Sequence, residues 1–217
     1  MNFAGWNQLS MNDYPKKLSS IIFVSGCNFS CSYCHNSTLI KKIVHEINEN
    51  DIFNFFKTNK IVEALVISGG EPSLYSKEII DFAKRFKESF PNKFIKVDTN
   101  GSNLSFVKDA LKVFDYIAVD FKSLDYSAFS NVNLDIIIES LKLISDFKNH
   151  EVRITVYPKY IKESDFEKIS DLLFECGIKN VSIQQYRKID NVFPYKEDVL
   201  KGFKDILVSK NFFVTLR

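Results

Sequence analysis

The stretch that decides the architecture lies at residues 20–34 and reads SIIFVSGCNFSCSYC. An apolar run of strand character leads directly into Cys27, Cys31 and Cys34, which are spaced C-x3-C-x2-C. A tetrahedral zinc site or a ferredoxin cluster takes four protein ligands, whereas this run supplies three. Three thiolates on a cubane of four irons leave one iron open to a ligand from outside the chain. The run therefore predicts a catalytic iron–sulfur site.

A structural zinc site is the alternative for the same three thiols, with His35 or Cys176 as the fourth ligand. His35 directly follows Cys34, and adjacent side chains rarely bind one tetrahedral metal together. Cys176 stands before Gly177 near a predicted helix end, which is typical of a buried small apolar residue. Tyr33, between the last two cysteines, suits shielding of a cluster edge. We therefore favour a cluster over zinc.

The rest of the chain alternates short β-branched runs with longer amphipathic stretches. Strands are predicted at residues 20–25, 61–68, 93–98, 115–121, 151–157, 179–185 and 211–216. Helices are predicted at residues 46–58, 75–89, 104–113, 133–148, 164–176 and 195–209. Repeated strand–helix units of this kind predict an α/β fold with a parallel sheet, either open or curled into a barrel.

Polar or glycine-rich residues follow four consecutive predicted strands, always at the same end. They are the cysteine run, Ser68-Gly69-Gly70-Glu71-Pro72, Asp98-Thr99-Asn100-Gly101 and Asp120-Phe121-Lys122. The carboxyl ends of parallel strands are where such folds place binding and catalysis. We therefore expect one site built from four loops.

Each of these elements also has a purely structural interpretation. The glycine pair could form only a tight turn, although paired glycines also let the backbone approach a ligand. A carboxylate at Asp98 or Asp120 needs a partner if it is buried. Lys122 is one candidate partner for Asp120, and a bound cation is another. The structural alternative is that both residues are helix caps or exposed strand ends. Arg153 is an exposed strand charge or, if its face points inward, a group that holds a carboxylate. His150 is interpreted as a surface residue without a role.

Composition and charge exclude several classes of protein. The 217 residues suffice for one domain with a buried core, and a formal net charge of +2 gives no electrostatic basis for a nucleic-acid partner. No apolar run approaches the roughly 20 residues of a membrane helix, and residues 1–20 have no signal-peptide character. We therefore expect no membrane partner and reduced cysteines in a cytoplasmic protein.

These motifs resemble those of a known superfamily. Cys27-x3-Cys31-x2-Cys34 with Tyr33 resembles the signature of the radical S-adenosylmethionine (radical SAM) enzymes, and Ser68-Gly69-Gly70-Glu71 resembles their second motif. Other stretches resemble activating proteins for glycyl-radical enzymes, above all anaerobic ribonucleoside-triphosphate reductase. They are residues 9–15 (LSMNDYP), 26–29 (GCNF), 34–36 (CHN), 98–102 (DTNGS) and 119–122 (VDFK).

The resemblance implies a fold and a set of cofactors. The fold is a partial (β/α)6 TIM-like barrel in one radical SAM domain, with an N-terminal flap at 1–19, a barrel core at 20–190 and a C-terminal helix and strand at 191–217. The cofactors are a 4Fe–4S cluster on the three cysteines, S-adenosylmethionine on the open iron, and a monovalent cation near the methionine carboxylate.

The resemblance also implies the residues that contact these cofactors. Gly69, Gly70 and Glu71 are placed against the methionine amino group, and Lys122 and Arg153 against S-adenosylmethionine. Asp98, Thr99 and Asp120 match positions that hold the cation in a formate-lyase activase. Tyr33 completes the set of cofactor-binding residues. Arg187 stands where that activase has a histidine, so Arg187 receives no role.

The implied reaction is radical chemistry on a protein substrate. Reduced flavodoxin or ferredoxin passes one electron to the cluster, S-adenosylmethionine is cleaved, and the 5′-deoxyadenosyl radical takes hydrogen from a glycine of the partner enzyme. No residue beyond the cluster and the cofactor is expected to be catalytic. Two alternatives stay open: a small radical SAM enzyme that acts on a metabolite or nucleobase, such as 7-carboxy-7-deazaguanine synthase, and a non-enzymatic iron–sulfur or zinc module.

Overall fold

A computed structural model of the chain describes residues 2–41 and 47–217. Strands and helices alternate from residue 19 onwards. The strands are β1 (Asn2–Phe3), β2 (Gly5–Ser10), β3 (Ser19–Val24), β4 (Ile47–Asn48), β5 (Ala64–Gly69), β6 (Phe94–Thr99), β7 (Tyr116–Asp120), β8 (His150–Val156), β9 (Asn180–Gln185) and β10 (Phe213–Leu216). The α-helices are α1 (Ser37–Lys41), α2 (Glu49–Thr58), α3 (Ser76–Ser89), α4 (Leu104–Ala110), α5 (Leu134–Ser145), α6 (Phe166–Glu175) and α7 (Glu197–Ser209).

The contacts within the chain divide it into two compact units. The first comprises Met1–Asn28, Asn36–Thr99 and Lys108–Ile117. The second comprises Phe29–His35, Asn100–Val107 and Ala118–Arg217. The boundary passes through the cysteine loop, so that Cys27 belongs to the first unit and the other two cysteines to the second.

The first unit is built on a sheet with the strand order β2-β3-β5-β6. Strands β3, β5 and β6 run parallel, and β2 pairs antiparallel with β3. The middle strands are continuous apolar runs because both of their faces are buried. Helix α3 repeats apolar residues at Ile79, Phe82, Ala83 and Phe86, and all four are fully buried. This stripe closes the unit's core.

The second unit contains parallel strands β8, β9 and β10. Helix α5 begins at the N-cap Asn133, whose side chain accepts a hydrogen bond from the backbone NH of Asp135. Helices α6 and α7 meet through Phe166 and Phe203, whose rings stack with centroids 4.2 Å apart. Asp120 ends β7, and Tyr157 and Tyr186 directly follow β8 and β9.

The predicted elements are confirmed. Each of the seven predicted strands and six predicted helices has a counterpart within three residues of its expected bounds. Residue 46, where one helix was expected to begin, lies outside the described residues. Strand β2 was not predicted, because its sequence GWNQLS has no alternation of apolar and polar residues. The division into flap, core and C-terminal segment stays a prediction.

Two aromatic residues near the N-terminus have defined contacts, and one histidine is buried against expectation. Phe3 is fully buried and packs edge-on against Phe82, with ring centroids 5.1 Å apart. Trp6 donates a hydrogen bond from Nε1 to the Ser20 hydroxyl at 2.7 Å. The prediction that His150 is a surface residue is wrong, because it is only 2% exposed at the start of β8 and burial lowers its pKa. Within the described residues, no helix has the length and apolar character needed to cross a bilayer.

Candidate functional site

The glycine pair at the end of β5 is packed backbone against backbone. Gly69 has φ +122°, and a Cβ there would lie 2.5 Å from the backbone of Val24. A Cβ on Gly70 would lie 1.7 Å from the carbonyl oxygen of Gly26, the residue before Cys27. The Gly70 NH donates to the Val24 carbonyl at 2.9 Å. Both positions therefore require glycine because of the neighbouring chain segment, a reason that the sequence motif does not reveal.

Glu71 directly follows this turn and is held rigidly. It is 1% exposed, and its Oε1 accepts hydrogen bonds from the Ser73 NH at 2.9 Å and from the Thr99 hydroxyl at 2.6 Å. Pro72 opens the short 3-10 helix that follows. The Thr99 contact joins the carboxyl ends of β5 and β6. The first unit therefore presents a buried carboxylate with a fixed orientation.

Asp98 near the end of β6 is paired with a lysine that the sequence analysis did not single out. Lys96 is fully buried, and its Nζ lies 3.1 Å from Oδ1 of Asp98, which is 5% exposed. The same Nζ donates to the carbonyl oxygen of Asp13 at 2.7 Å. Buried charges are stable only when paired and hydrogen-bonded. The sequence did contain a signal for this pair, because residues two apart on a strand, such as Lys96 and Asp98, point to the same face.

The cysteine loop lies between β3 and α1 and contains no helix or strand. Cys27, Cys31 and Cys34 are each partly exposed and form no disulfide. The Cys34 NH donates to the Cys31 carbonyl at 3.1 Å. Cys176 is buried at the end of α6, as predicted, and burial raises the pKa of its thiol. The accessible thiols are therefore the three of the motif, a donor set that suits iron–sulfur or zinc.

Tyr33 is turned into the second unit. It is 6% exposed, and its ring lies 4.9 Å from that of Tyr157 and 5.6 Å from that of Tyr160. Burial raises the pKa of its phenol well above the usual value. The expected role in shielding a cluster stays a prediction. The observed role is packing of the loop between Cys31 and Cys34.

Asp120, Lys122 and Arg153 form one charged group in the second unit. The Arg153 Nε lies 2.7 Å from Oδ1 of Asp120, and the Lys122 Nζ lies 3.2 Å from Oδ2. The predicted partner Lys122 is therefore present, together with the arginine from β8. Burial raises the pKa of Asp120, but Arg153 and Lys122 outweigh burial and lower the pKa to about 2.

The charge of this group follows from these contacts. Burial lowers the pKa of Lys122, but Asp120 outweighs burial and holds that pKa well above its usual value. The group thus contains one anion and two cations at neutral pH. Its net charge is positive, which suits a bound carboxylate. Arg187, which received no role, is exposed.

The pattern of cysteines and glycines, on these strand ends, defines the class. Residues 21–173 match the model of the radical SAM superfamily, and the chain belongs to that superfamily. It is therefore an enzyme of a family whose members use a 4Fe–4S cluster and S-adenosylmethionine.

Known proteins resemble the chain at different levels. A protein of Methanocaldococcus jannaschii, named as a candidate glycyl-radical enzyme activating enzyme, is 35% identical over 199 residues, covering 86% of this chain and 80% of that relative. A 7-carboxy-7-deazaguanine synthase of Methanothermobacter thermautotrophicus is 32% identical over 111 residues, covering 46% of this chain and 41% of that enzyme.

A solved structure supports the fold. The crystal structure of a radical SAM methyltransferase from Sphaerobacter thermophilus matches with a TM-score of 0.75 and 15% identity, covering 96% of this chain and 68% of that chain. This similarity confirms the predicted fold class, an α/β radical SAM core with mostly parallel strands.

Proposed function

We propose that the chain is an activating enzyme that generates a glycyl radical on a partner enzyme. The observation that carries the proposal is the 35% identity to the M. jannaschii relative over most of both chains. The deazaguanine synthase covers less than half of this chain, and this favours the activase over the nucleobase-directed alternative. Among glycyl-radical enzymes, we propose anaerobic ribonucleoside-triphosphate reductase as the partner, on the sequence motifs alone.

Cys27, Cys31 and Cys34 are the proposed ligands of the 4Fe–4S cluster. Their thiols are accessible, lie within eight residues, and have the soft donor character that iron–sulfur clusters take. When bound, the cluster would supply one-electron reduction of S-adenosylmethionine, which in turn would supply the radical that takes hydrogen from a glycine of the partner. Reduced flavodoxin or ferredoxin is the proposed electron donor.

Charged and backbone groups of the chain suit the amino and carboxylate groups of methionine. In the first unit, the oriented Glu71 carboxylate and the backbone of Gly69 and Gly70 are proposed to receive the amino group. In the second unit, Lys122 and Arg153 are proposed to receive the carboxylate, with Asp120 holding both cations in place. The role of these side chains is to bind and orient the cofactor.

A monovalent cation at Asp98, Thr99 and Asp120 stays a prediction. Each of these side chains already has a partner from its own unit: Lys96 for Asp98, Glu71 for Thr99, and two cations for Asp120. A cation would have to displace or share these contacts. The contacts therefore give it no support.

Asp120→Ala is expected to weaken S-adenosylmethionine binding about tenfold, because Lys122 and Arg153 lose the carboxylate that orients them. Iron content should stay unchanged, since no proposed cluster ligand is touched. Anaerobic equilibrium dialysis with labelled S-adenosylmethionine measures the first quantity, and iron analysis the second. Asp109→Ala is the matched control, because Asp109 in α4 forms a solvent-exposed ion pair with Lys112, which follows that helix. Parallel loss of iron would instead indicate a folding role for Asp120.

The partner assignment is tested by electron paramagnetic resonance. The reconstituted protein, dithionite, S-adenosylmethionine and a purified anaerobic ribonucleoside-triphosphate reductase should together give a doublet signal of a glycyl radical. The control is a reductase in which the radical-bearing glycine of the C-terminal loop is changed to alanine, and it should give no doublet. Cleavage of S-adenosylmethionine without a doublet would remove this reductase as the partner and leave the radical SAM assignment intact.

A further inference from the structure

One carboxylate in the second unit binds two buried tyrosine hydroxyls. Tyr157 follows β8 and donates to Oδ2 of Asp190 at 2.6 Å, and Tyr186 follows β9 and donates to Oδ1 at 2.8 Å. The two tyrosines are 0% and 1% exposed. The Val192 NH also donates to Oδ1 of Asp190 at 2.8 Å. Asp190 therefore fixes the ends of two strands and the segment that leads towards α7.

The same tyrosines contact the cysteine loop. The Ser32 hydroxyl donates to the Tyr157 hydroxyl at 3.3 Å and lies 3.1 Å from the Tyr160 hydroxyl. The Tyr157 hydroxyl thus accepts from Ser32 and donates to Asp190. Tyr33 packs against the Tyr157 ring. Ser32 and Tyr33 are the two residues between Cys31 and Cys34. Tyr157 contacts both of them, and Tyr160 does so as well.

We propose that Asp190 is a positioning residue, which through Tyr157 holds the Cys31–Cys34 part of the loop in the conformation that receives the cluster. The inference rests on the proposed function, because the cysteines must be cluster ligands for their position to matter. Ligands that are fixed before binding retain a metal better than mobile ligands. Packing alone does not account for the arrangement, since phenylalanine rings would fill the same space without needing a carboxylate to accept from their hydroxyls.

Thiol reactivity in the metal-free full-length protein tests the positioning directly. Iodoacetamide labelling followed by chymotrypsin, which cuts after Phe29 and Tyr33, reports on each cysteine separately. Tyr157→Phe and Asp190→Asn are expected to raise the labelling rates of Cys31 and Cys34 about tenfold relative to that of Cys27. The reason is that each variant loses one charge-assisted hydrogen bond. A merely structural role would raise all three rates together or none of them.

Two further variants keep the test decisive. Ser32→Ala removes the link from an exposed position without disturbing the core, so it should fold and raise the same two rates. Tyr195→Phe is the matched control, because it removes a tyrosine hydroxyl that donates to the Ile161 carbonyl at 3.2 Å in the same unit. Its labelling rates should equal those of the wild type. Unchanged rates in Ser32→Ala and Tyr157→Phe would overturn the proposal.

Iron retention in the reconstituted protein separates this inference from the proposed function. The variants Tyr157→Phe and Asp190→Asn should lose iron to a chelator about tenfold faster than the wild type. A wild type that binds no cluster would refute the proposed function. A wild type that binds a cluster, with variants that lose iron at the same rate, would refute only the role of Asp190.

Discussion

Replacing Cys31 by alanine is expected to abolish cleavage of S-adenosylmethionine and to remove most of the cluster's visible absorption. The reason is ligand number: with two thiolates left, the cluster would have two irons without a protein ligand. Cys27→Ala and Cys34→Ala should behave alike. Anaerobic reconstitution, iron analysis and detection of 5′-deoxyadenosine measure the effect, and the wild type should hold about four irons per chain.

The control for this prediction is the fourth cysteine. Cys176→Ala changes a buried thiol at the end of α6 and should keep both the cluster and the cleavage activity. The ligand assignment is wrong if Cys176→Ala loses the cluster while Cys34→Ala keeps it. A colourless wild type with one zinc per chain would favour the non-enzymatic alternative.

Gly70→Ala should prevent stable folding or lower the free energy of unfolding by more than about 4 kcal/mol, the range that marks severe backbone or packing conflicts. The added Cβ would lie 1.7 Å from the Gly26 carbonyl oxygen, and a backbone atom cannot rotate away as a side chain can. The measurement is urea unfolding of the metal-free protein, followed by circular dichroism, so that cofactor binding does not enter the result.

The matched control for Gly70→Ala is another glycine-to-alanine change. Gly202 lies within helix α7, and a Cβ there meets no other atom within 4 Å. Gly202→Ala should therefore raise the free energy of unfolding by about 1 kcal/mol, the difference in helix propensity. A Gly70→Ala variant with the wild-type urea midpoint would show that the two chain segments are farther apart than described.

The strands and helices could be predicted from the sequence because the patterns that indicate them are local. Continuous apolar strands such as β5 and striped helices such as α3 differ in period, so their positions could be read directly. Strand β2 was not predicted because an exposed edge strand needs no alternation of apolar and polar residues. His150 was misplaced for a related reason: its burial depends on packing around β8, which the neighbouring residues do not encode.

Only part of the candidate site could be predicted from the sequence. The cysteines and the glycine pair stand out by residue type and spacing, and Lys122 lies close enough to Asp120 to be predicted as its partner. Other partners are distant in sequence. Arg153 lies 33 residues from Asp120, and Tyr157 lies 33 residues from Asp190. Such pairs are set by strand order, which the sequence pattern does not specify.

Lys96 has a consequence for the residues before β3. Its ammonium group neutralises Asp98 and also binds the main chain at Asp13, and Tyr14 beside it is 5% exposed. The main chain at Asp13 and the carboxylate near the end of β6 therefore share one buried cation. The amide hydrogens of these two segments should exchange with solvent at similar slow rates, because opening either segment strips a partner from the same cation. Through that contact, the segment before β3 is expected to unfold together with the end of β6.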